Sequence, residues 1–151
     1  MEALKKSIKD SLSANNWYAA LTLTLTLPDI SGKIEYPSSS SNKRYADWFN
    51  KYVGSHYKSI IGASLTEHVF LSGNDCYALR CSYLHEGTSV ITHQRAKEVL
   101  DDFQFSIPPI SGMIHCNQFK NKLQLQVDIF CGHILEGIEN WESDIKEDSI
   151  K

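Results

Sequence analysis

The chain has 151 residues, of which 42% are hydrophobic and 22% charged, and its formal net charge is −3. These values are typical of one globular domain with a buried core, so we expect a single domain over residues 1–151. They exclude a strongly basic surface over the whole molecule. A nucleic-acid binder of this composition therefore needs a local basic patch.

The start of the chain and its apolar runs indicate neither export nor a membrane span. Residues 1–6 carry three charged side chains and lack the apolar core of a secretion signal. The longest apolar-looking run, Leu21 to Leu27, has threonine at every second position and is too short to cross a bilayer. We therefore expect a cytoplasmic protein with no membrane contact, whose four cysteines stay reduced.

Helices are predicted for the first part of the chain. In residues 2–12 apolar residues recur at four-residue spacing, which is typical of an amphipathic helix: Leu4, Ile8 and Leu12. Residues 17–27 fit two patterns. Their alternation of leucine and threonine is typical of a strand, whereas three apolar residues at helical spacing favour a helix that stops at Pro28: Trp17, Leu21 and Leu25. We predict the helix.

The middle of the chain predicts an exposed loop, an aromatic helix and a second loop. Residues 32–42 contain Pro37 and four consecutive serines, which are typical of a loop. A stripe of aromatic residues at helical spacing follows: Tyr45, Trp48, Phe49 and Tyr52. Such stripes are usually buried in a core. A segment rich in glycine and serine then leads to Leu65.

A capping box marks the start of the next helix. Ser72 is predicted to cap a helix from Gly73 to about His85, while the Asp75 side chain reaches back to the Ser72 amide. Gly87 is placed to end this helix. Residues 92–100 then show a weak helical pattern.

The last third of the chain predicts strands followed by one long helix. Residues 103–107 alternate in the manner of a strand, and residues 113–117 and 123–127 flank a short turn, as in a β-hairpin. Asp128 is predicted to cap the final helix, whose apolar positions form a clear stripe: Val127, Phe130, Ile134, Ile138, Trp141 and Ile145. The expected fold is mainly α, a bundle of four to five helices with a small β-hairpin or three-stranded sheet in the C-terminal third.

Arg80 and His85, separated by four residues on the capped helix, are the pair with the clearest chemical potential. Arginine offers a permanent charge and a planar fork that suits a phosphate group. Histidine can move a proton near neutral pH as a base or an acid. Together they suit cleavage of RNA by its own ribose 2′-hydroxyl, which needs neither a metal nor a cofactor.

The pair matches the Arg-x4–6-His motif of HEPN domains, and the string Leu71 to Gly87 resembles an uncharacterised group of bacterial proteins. Three further segments are similar to the same group, so that the resemblance touches about two-thirds of the chain: Trp17 to Ala20, Leu27 to Ile30 and Tyr45 to Trp48. The resemblance implies a helical bundle that forms a homodimer and cleaves RNA as a metal-independent endoribonuclease. It also implies a role in bacterial defence or a toxin–antitoxin system, with a cognate partner protein.

Within this interpretation Arg80 binds the phosphate and His85 transfers the proton. Ser82 and Glu86 are candidate substrate-binding residues, and Glu86 is also placed to orient His85. A five-residue step leaves Arg80 and His85 about 140° apart on a straight helix. We therefore expect them to converge only if the helix unwinds near Gly87 or a second protomer completes the site.

Two other interpretations remain open at the level of the sequence. Arg80 can instead form a structural ion pair with Asp29 or Asp47, in a non-catalytic module that binds a protein or a nucleotide. Cys81 favours this reading, because HEPN nucleases commonly have a polar residue after the motif arginine. The third interpretation is a zinc-stabilised domain, with four residues of suitable chemistry in the last third: His115, Cys116, Cys131 and His133.

Overall fold

Five α-helices and two small sheets build the protein, as seen in a computed structural model that describes the backbone of residues 1–150 and the side chains of residues 1–147. The mainly helical prediction is therefore confirmed. The helices are α1 (Glu2–Ser13), α2 (Trp17–Glu35), α3 (Ser41–Tyr52), α4 (Gly73–Glu86) and α5 (Val127–Ile150). One turn of 3-10 helix, Gly54–Tyr57, follows α3.

Helix α2 contains the ambiguous leucine–threonine segment, and the predicted helix is confirmed there. Its predicted stop is wrong, because the helix continues through Pro28 to Glu35. Proline removes one backbone hydrogen bond from a helix interior. Packing of the last two turns offsets that loss, since Ser31 and Gly32 are buried and the Ser31 hydroxyl donates to the Leu27 carbonyl.

Helix α3 carries the aromatic stripe, and all four of its predicted core residues are buried. Two glycines bring its neighbours unusually close to its backbone. A Cβ on Gly32 of α2 would lie 2.7 Å from the Arg44 carbonyl oxygen, and one on Gly73 of α4 would lie 2.4 Å from that of Ala46. Helices α2 and α4 are thereby held on either side of α3, and this packing places the site described below.

The segment between α3 and α4 differs from the predicted loop. It forms an antiparallel hairpin of β1 (Lys58–Ile61) and β2 (Thr66–Val69). The two strands are almost fully exposed, so they bury no alternating face. Without that burial the sequence shows no strand periodicity, which is why the hairpin was not predicted.

Helix α4 begins and ends where the sequence predicts. The Ser72 hydroxyl accepts a hydrogen bond from the Asp75 amide at 3.1 Å, and Gly87 ends the helix with a left-handed φ of 67°. The predicted return contact from the Asp75 carboxylate is wrong. That carboxylate is buried and accepts instead from the amides of residues 98–100.

Residues 92–100 are turns and bends rather than the predicted weak helix. The Asp75 carboxylate supplies acceptors for three of their amides, so the segment is held without helical hydrogen bonds. It leads into β3 (Asp102–Ser106), which pairs in parallel with β5 (Lys122–Gln126). Strand β4 (Asn117–Phe119) forms a hairpin with β5, so that the sheet order is β3-β5-β4. A hairpin at this place was predicted, but its first strand was wrongly placed at residues 113–117, because residues 113–116 are not strand.

Helix α5 follows β5 directly and crosses the bundle. It starts at Val127, two residues earlier than a cap at Asp128 requires, so the predicted cap is wrong, and the Asp128 carboxylate accepts from the Gln126 side chain. Its apolar stripe lies in the core, and its Trp141 indole donates to Glu35 of α2 at 3.0 Å. Within the part of the chain that the structure describes, none of the helices has the length and apolarity needed to traverse a bilayer.

Candidate functional site

Arg80 and His85 meet at the C-terminal half of α4. The Arg80 Nη1 lies 3.1 Å from the His85 Nε2. The helix neither unwinds nor needs a second protomer for this contact, since α4 continues to Glu86. The expectation from the 140° separation was wrong because the long arginine side chain reaches around the helix surface.

A guanidinium has donors only, so in this contact the Arg80 Nη1 donates to the His85 Nε2. His85 itself is exposed, so solvent and a substrate can reach it.

Arg80 is anchored from the opposite side by α2. Its Nε lies 2.6 Å from the Asp29 Oδ2, and both side chains are about one-fifth exposed. Burial disfavours the charge, but the attraction of Asp29 more than offsets it and raises the pKa of the Arg80 guanidinium. Of the two acids suggested by the sequence, Asp29 is therefore the partner. The Arg80 Nη2 has no hydrogen-bond partner among the described residues, which leaves one donor edge for a ligand.

The two remaining predicted site residues lie elsewhere. Ser82 is fully buried, and its hydroxyl has no hydrogen-bond partner among the residues that are described. Glu86 is exposed and pairs with His93 at 2.7 Å and with the Gln94 side chain at 3.1 Å. The structure thus brings neither of them into the Arg80–His85 contact.

A cavity of about 590 Å³ opens between α2, α3 and α4, with Arg80 in its wall. We name it the Arg44 cavity after its second arginine. Its lining combines three cationic side chains with apolar and polar groups: Asp29, Ile30, Lys33, Ile34, Ser41, Arg44, Tyr77 and Arg80. The volume falls in the range of small-molecule sites.

A second cavity, of about 520 Å³, shares Tyr77 with the first and contains Arg95. We name it the Arg95 cavity; it is lined by Asn42, Tyr77, Cys81, His93, Gln94, Arg95 and Ala96. The three arginines of the chain therefore all line one of these two adjacent cavities. The sequence could not reveal this grouping of arginines, because they lie on separate elements.

The predicted zinc residues do not form a metal site. His115 and His133 are in contact, with ring centroids 5.4 Å apart, but His133 also stacks on His56 at 3.9 Å. No group of three or more potential ligands within the described part of the chain is arranged to hold a metal ion. Burial raises the pKa values of the Cys116 and Cys131 thiols to about 11, so both stay protonated at neutral pH.

Comparisons of the chain with protein-family models, curated proteins and solved structures found no match. The chemistry of the site therefore has to be argued from its own geometry. That geometry offers a cation anchored by Asp29, next to an exposed imidazole and beside two cavities that the three arginines line.

Proposed function

We propose that this protein is a metal-independent endoribonuclease of HEPN type, with Arg80 and His85 at a dimeric active site. The observation that carries the proposal is the 3.1 Å contact between the Arg80 Nη1 and the His85 Nε2. It brings a phosphate-binding group and a proton-transfer group to one solvent-accessible place. No cofactor is part of the proposal.

In the proposed reaction the substrate phosphate takes over the Arg80 Nη1, which releases the His85 Nε2 from its hydrogen bond. The free Nε2 then accepts the proton of a ribose 2′-hydroxyl. The 2′-oxygen attacks the adjacent phosphorus, and the bond from phosphorus to the 5′-oxygen of the next nucleotide breaks. The leaving oxygen takes up a proton, which gives a 2′,3′-cyclic phosphate and a 5′-hydroxyl. Arg80 stabilises the charge on the phosphoryl oxygens, and Asp29 holds the guanidinium in place through Nε.

The scheme calls for a homodimer, because the reaction needs both a base and an acid. Each protomer supplies one His85 at this place, and a second copy supplies the other. The resemblance to bacterial HEPN proteins extends the proposal to a role in defence or a toxin–antitoxin system, with a cognate protein that restrains the nuclease.

The test is cleavage of a labelled pool of single-stranded and structured RNA by purified protein in the presence of EDTA. We expect cleavage by the wild type, and a rate at least about 100-fold lower in His85→Ala and in Arg80→Ala. His68→Ala, a histidine on β2, is the matched control and should cleave at the wild-type rate. Circular dichroism and gel filtration check that each variant keeps its fold and oligomeric state.

The proposal is contradicted if the wild type cleaves no RNA in the pool, or if His85→Ala is as active as the wild type. The Arg80–Asp29 ion pair favours a second candidate in that case, a non-catalytic module that binds a protein or a nucleotide. In such a module Arg80 serves to join α4 to α2, so Arg80→Ala lowers stability and leaves no activity to lose.

A further inference from the structure

We infer that the Arg44 cavity binds a nucleotide, with the phosphate at Lys33 and Arg44 and the ribose or base against Tyr77. The inference does not depend on RNA cleavage by Arg80 and His85. It rests on unneutralised charge, on a buried donor without a partner and on the shape of the cavity wall.

The first step is the charge balance of the cavity. Arg80 and Asp29 neutralise each other through their 2.6 Å ion pair. Lys33 and Arg44 have no acidic partner in the part of the chain that the structure describes. Two positive charges thus remain in one concave site of a chain whose net charge is −3. Two like charges in the lining of one cavity favour an anion between them.

The second step is the state of the Arg44 guanidinium. Its Nη2 donates to the Ser41 hydroxyl at 3.1 Å, and its Nη1 donates to the Ser39 carbonyl at a long 3.4 Å. Its Nε is buried and has no hydrogen-bond partner. A buried donor without an acceptor is unfavourable, so a shift of the guanidinium that brings Nε to a phosphate oxygen in the cavity is favoured. Without a ligand, Ser39 and Ser41 hold the Arg44 guanidinium near the start of α3.

The third step concerns the rest of the lining, which is too extensive for an inorganic anion. Ile30 and Ile34 expose aliphatic surface, and Tyr77 presents an aromatic ring. The edge-to-face contact of Tyr77 with Tyr45, at 5.4 Å between centroids, fixes that ring. A ligand that joins an anionic phosphate to a flat ring fits this wall, and a nucleotide is such a ligand.

The shared Tyr77 links the site to the Arg95 cavity. There Arg95 has no ion-pair partner among the described residues, and the buried Asn42 Oδ1 has no donor. A second phosphate and a base with an amino group therefore find suitable partners there. A nucleotide unit within an RNA strand and a free mononucleotide both supply the chemistry that the Arg44 cavity recognises, and the experiment separates them.

The test uses the full-length His85→Ala protein, so that cleavage cannot consume the ligand. Isothermal titration measures binding of the four ribonucleoside 5′-monophosphates, and fluorescence polarisation measures binding of a labelled single-stranded oligoribonucleotide. We expect Arg44→Gln and Lys33→Gln each to weaken binding by about tenfold. Lys43→Gln is the matched control, because Lys43 precedes Arg44, pairs with Asp47 and lies outside the cavity lining.

Each outcome decides the inference. Mononucleotide binding that depends on Arg44 and Lys33 supports it with a free nucleotide as ligand. Binding of RNA alone, with the same dependence, supports it with a nucleotide unit of a strand. No binding of either probe at about 1 mM overturns it, as does an equal loss in Lys43→Gln. Lys33 is exposed, so Lys33→Gln keeps the test decisive if Arg44→Gln does not fold.

Discussion

Arg80 makes two contacts that have different consequences for the protein. The contact with His85 connects it to proton chemistry, while the ion pair with Asp29 connects α4 to α2. A partly buried pair of this kind is worth more than an exposed one, because solvent screens it less. A change at Asp29 that leaves His85 in place therefore tests the effect of the ion pair separately from the effect of the His85 contact.

We predict that Asp29→Asn lowers the free energy of unfolding by about 1 kcal/mol, because the amide keeps the shape but loses the charge. Asp47→Asn is the control, since the Lys43–Asp47 pair lies on the exposed surface of α3 and should contribute less than about 0.5 kcal/mol. Urea unfolding followed by circular dichroism measures both. Equal losses in the two variants would show that burial of the Arg80 pair has no effect on stability.

At the scale of elements, the close approach of α4 to α3 determines where the Arg80–His85 pair lies. Gly73 is the contact point, because any Cβ there would collide with the Ala46 backbone rather than with a side chain that can move. Overpacking against backbone forces the helices apart. We therefore expect the effect of a glycine-to-alanine change on stability to depend on the space around that glycine, and not on helix propensity alone.

We predict that Gly73→Ala destabilises the protein by about 2 kcal/mol, whereas Gly132→Ala stabilises it by about 0.5 kcal/mol. Gly132 lies in α5, where an added Cβ has no neighbour within 4 Å, and alanine favours a helix over glycine there. Thermal and urea unfolding of the two variants check the signs. A destabilised Gly132→Ala protein would contradict the local-packing explanation.

Local sequence signals correctly predicted the elements in which tertiary packing favours the same backbone conformation as the local sequence does. The Ser72 cap, Gly87 and the aromatic stripe of α3 needed only local geometry, and each is confirmed. The errors fall where tertiary contacts override local preference. Burial of Ser31 and Gly32 carries α2 past Pro28, and Asp75 takes over the amides of residues 98–100, which lie 23 or more positions later in the chain.

The candidate site follows the same division. The sequence shows Arg80 and His85 as a pair because they share one helix. It does not predict their direct contact, because helix geometry alone leaves out the length of the arginine side chain. Lys33, Arg44 and Tyr77 lie on three helices, and nothing in their spacing indicates that they line one cavity. Only the close packing of α2 and α4 on α3 brings them together.

At the scale of the whole molecule, a cluster of histidines connects the chain's stability to pH. His133 stacks on His56, contacts His115, and lies 3.1 Å from the Tyr57 hydroxyl; Glu136 faces His56 at 3.4 Å. Burial, followed by repulsion from His56 and His115, lowers the pKa of His133 to about 4 from an ordinary value of 6.5. Burial also lowers the pKa of His115.

We predict that the protein loses stability as the pH falls from 6.5 toward 4. In that interval the unfolded chain binds a proton at His133 that the folded chain does not, so protonation favours unfolding, and the stabilisation is complete above pH 6.5. The loss is on the order of 1 kcal/mol for a half-buried group that solvent partly screens. Urea unfolding at several pH values measures it.

His133→Gln should make stability less dependent on pH, because it removes the group that gains the proton. His68→Gln, a change at a histidine of β2 that lies outside the cluster, is the control. If His133→Gln and the wild type lose stability equally between pH 7 and pH 4.5, the cluster is not the source of the acid sensitivity.

Because β3 pairs in parallel with β5, the three-stranded sheet can form only late in the synthesis of the chain. Each residue of β3 pairs with one 20 positions further along, from Asp102 with Lys122 to Ser106 with Gln126. When β3 leaves the ribosome, its partner strand has not yet emerged. The nascent chain therefore carries α4 and an unpaired strand edge until β5 and the start of α5 emerge and close the fold.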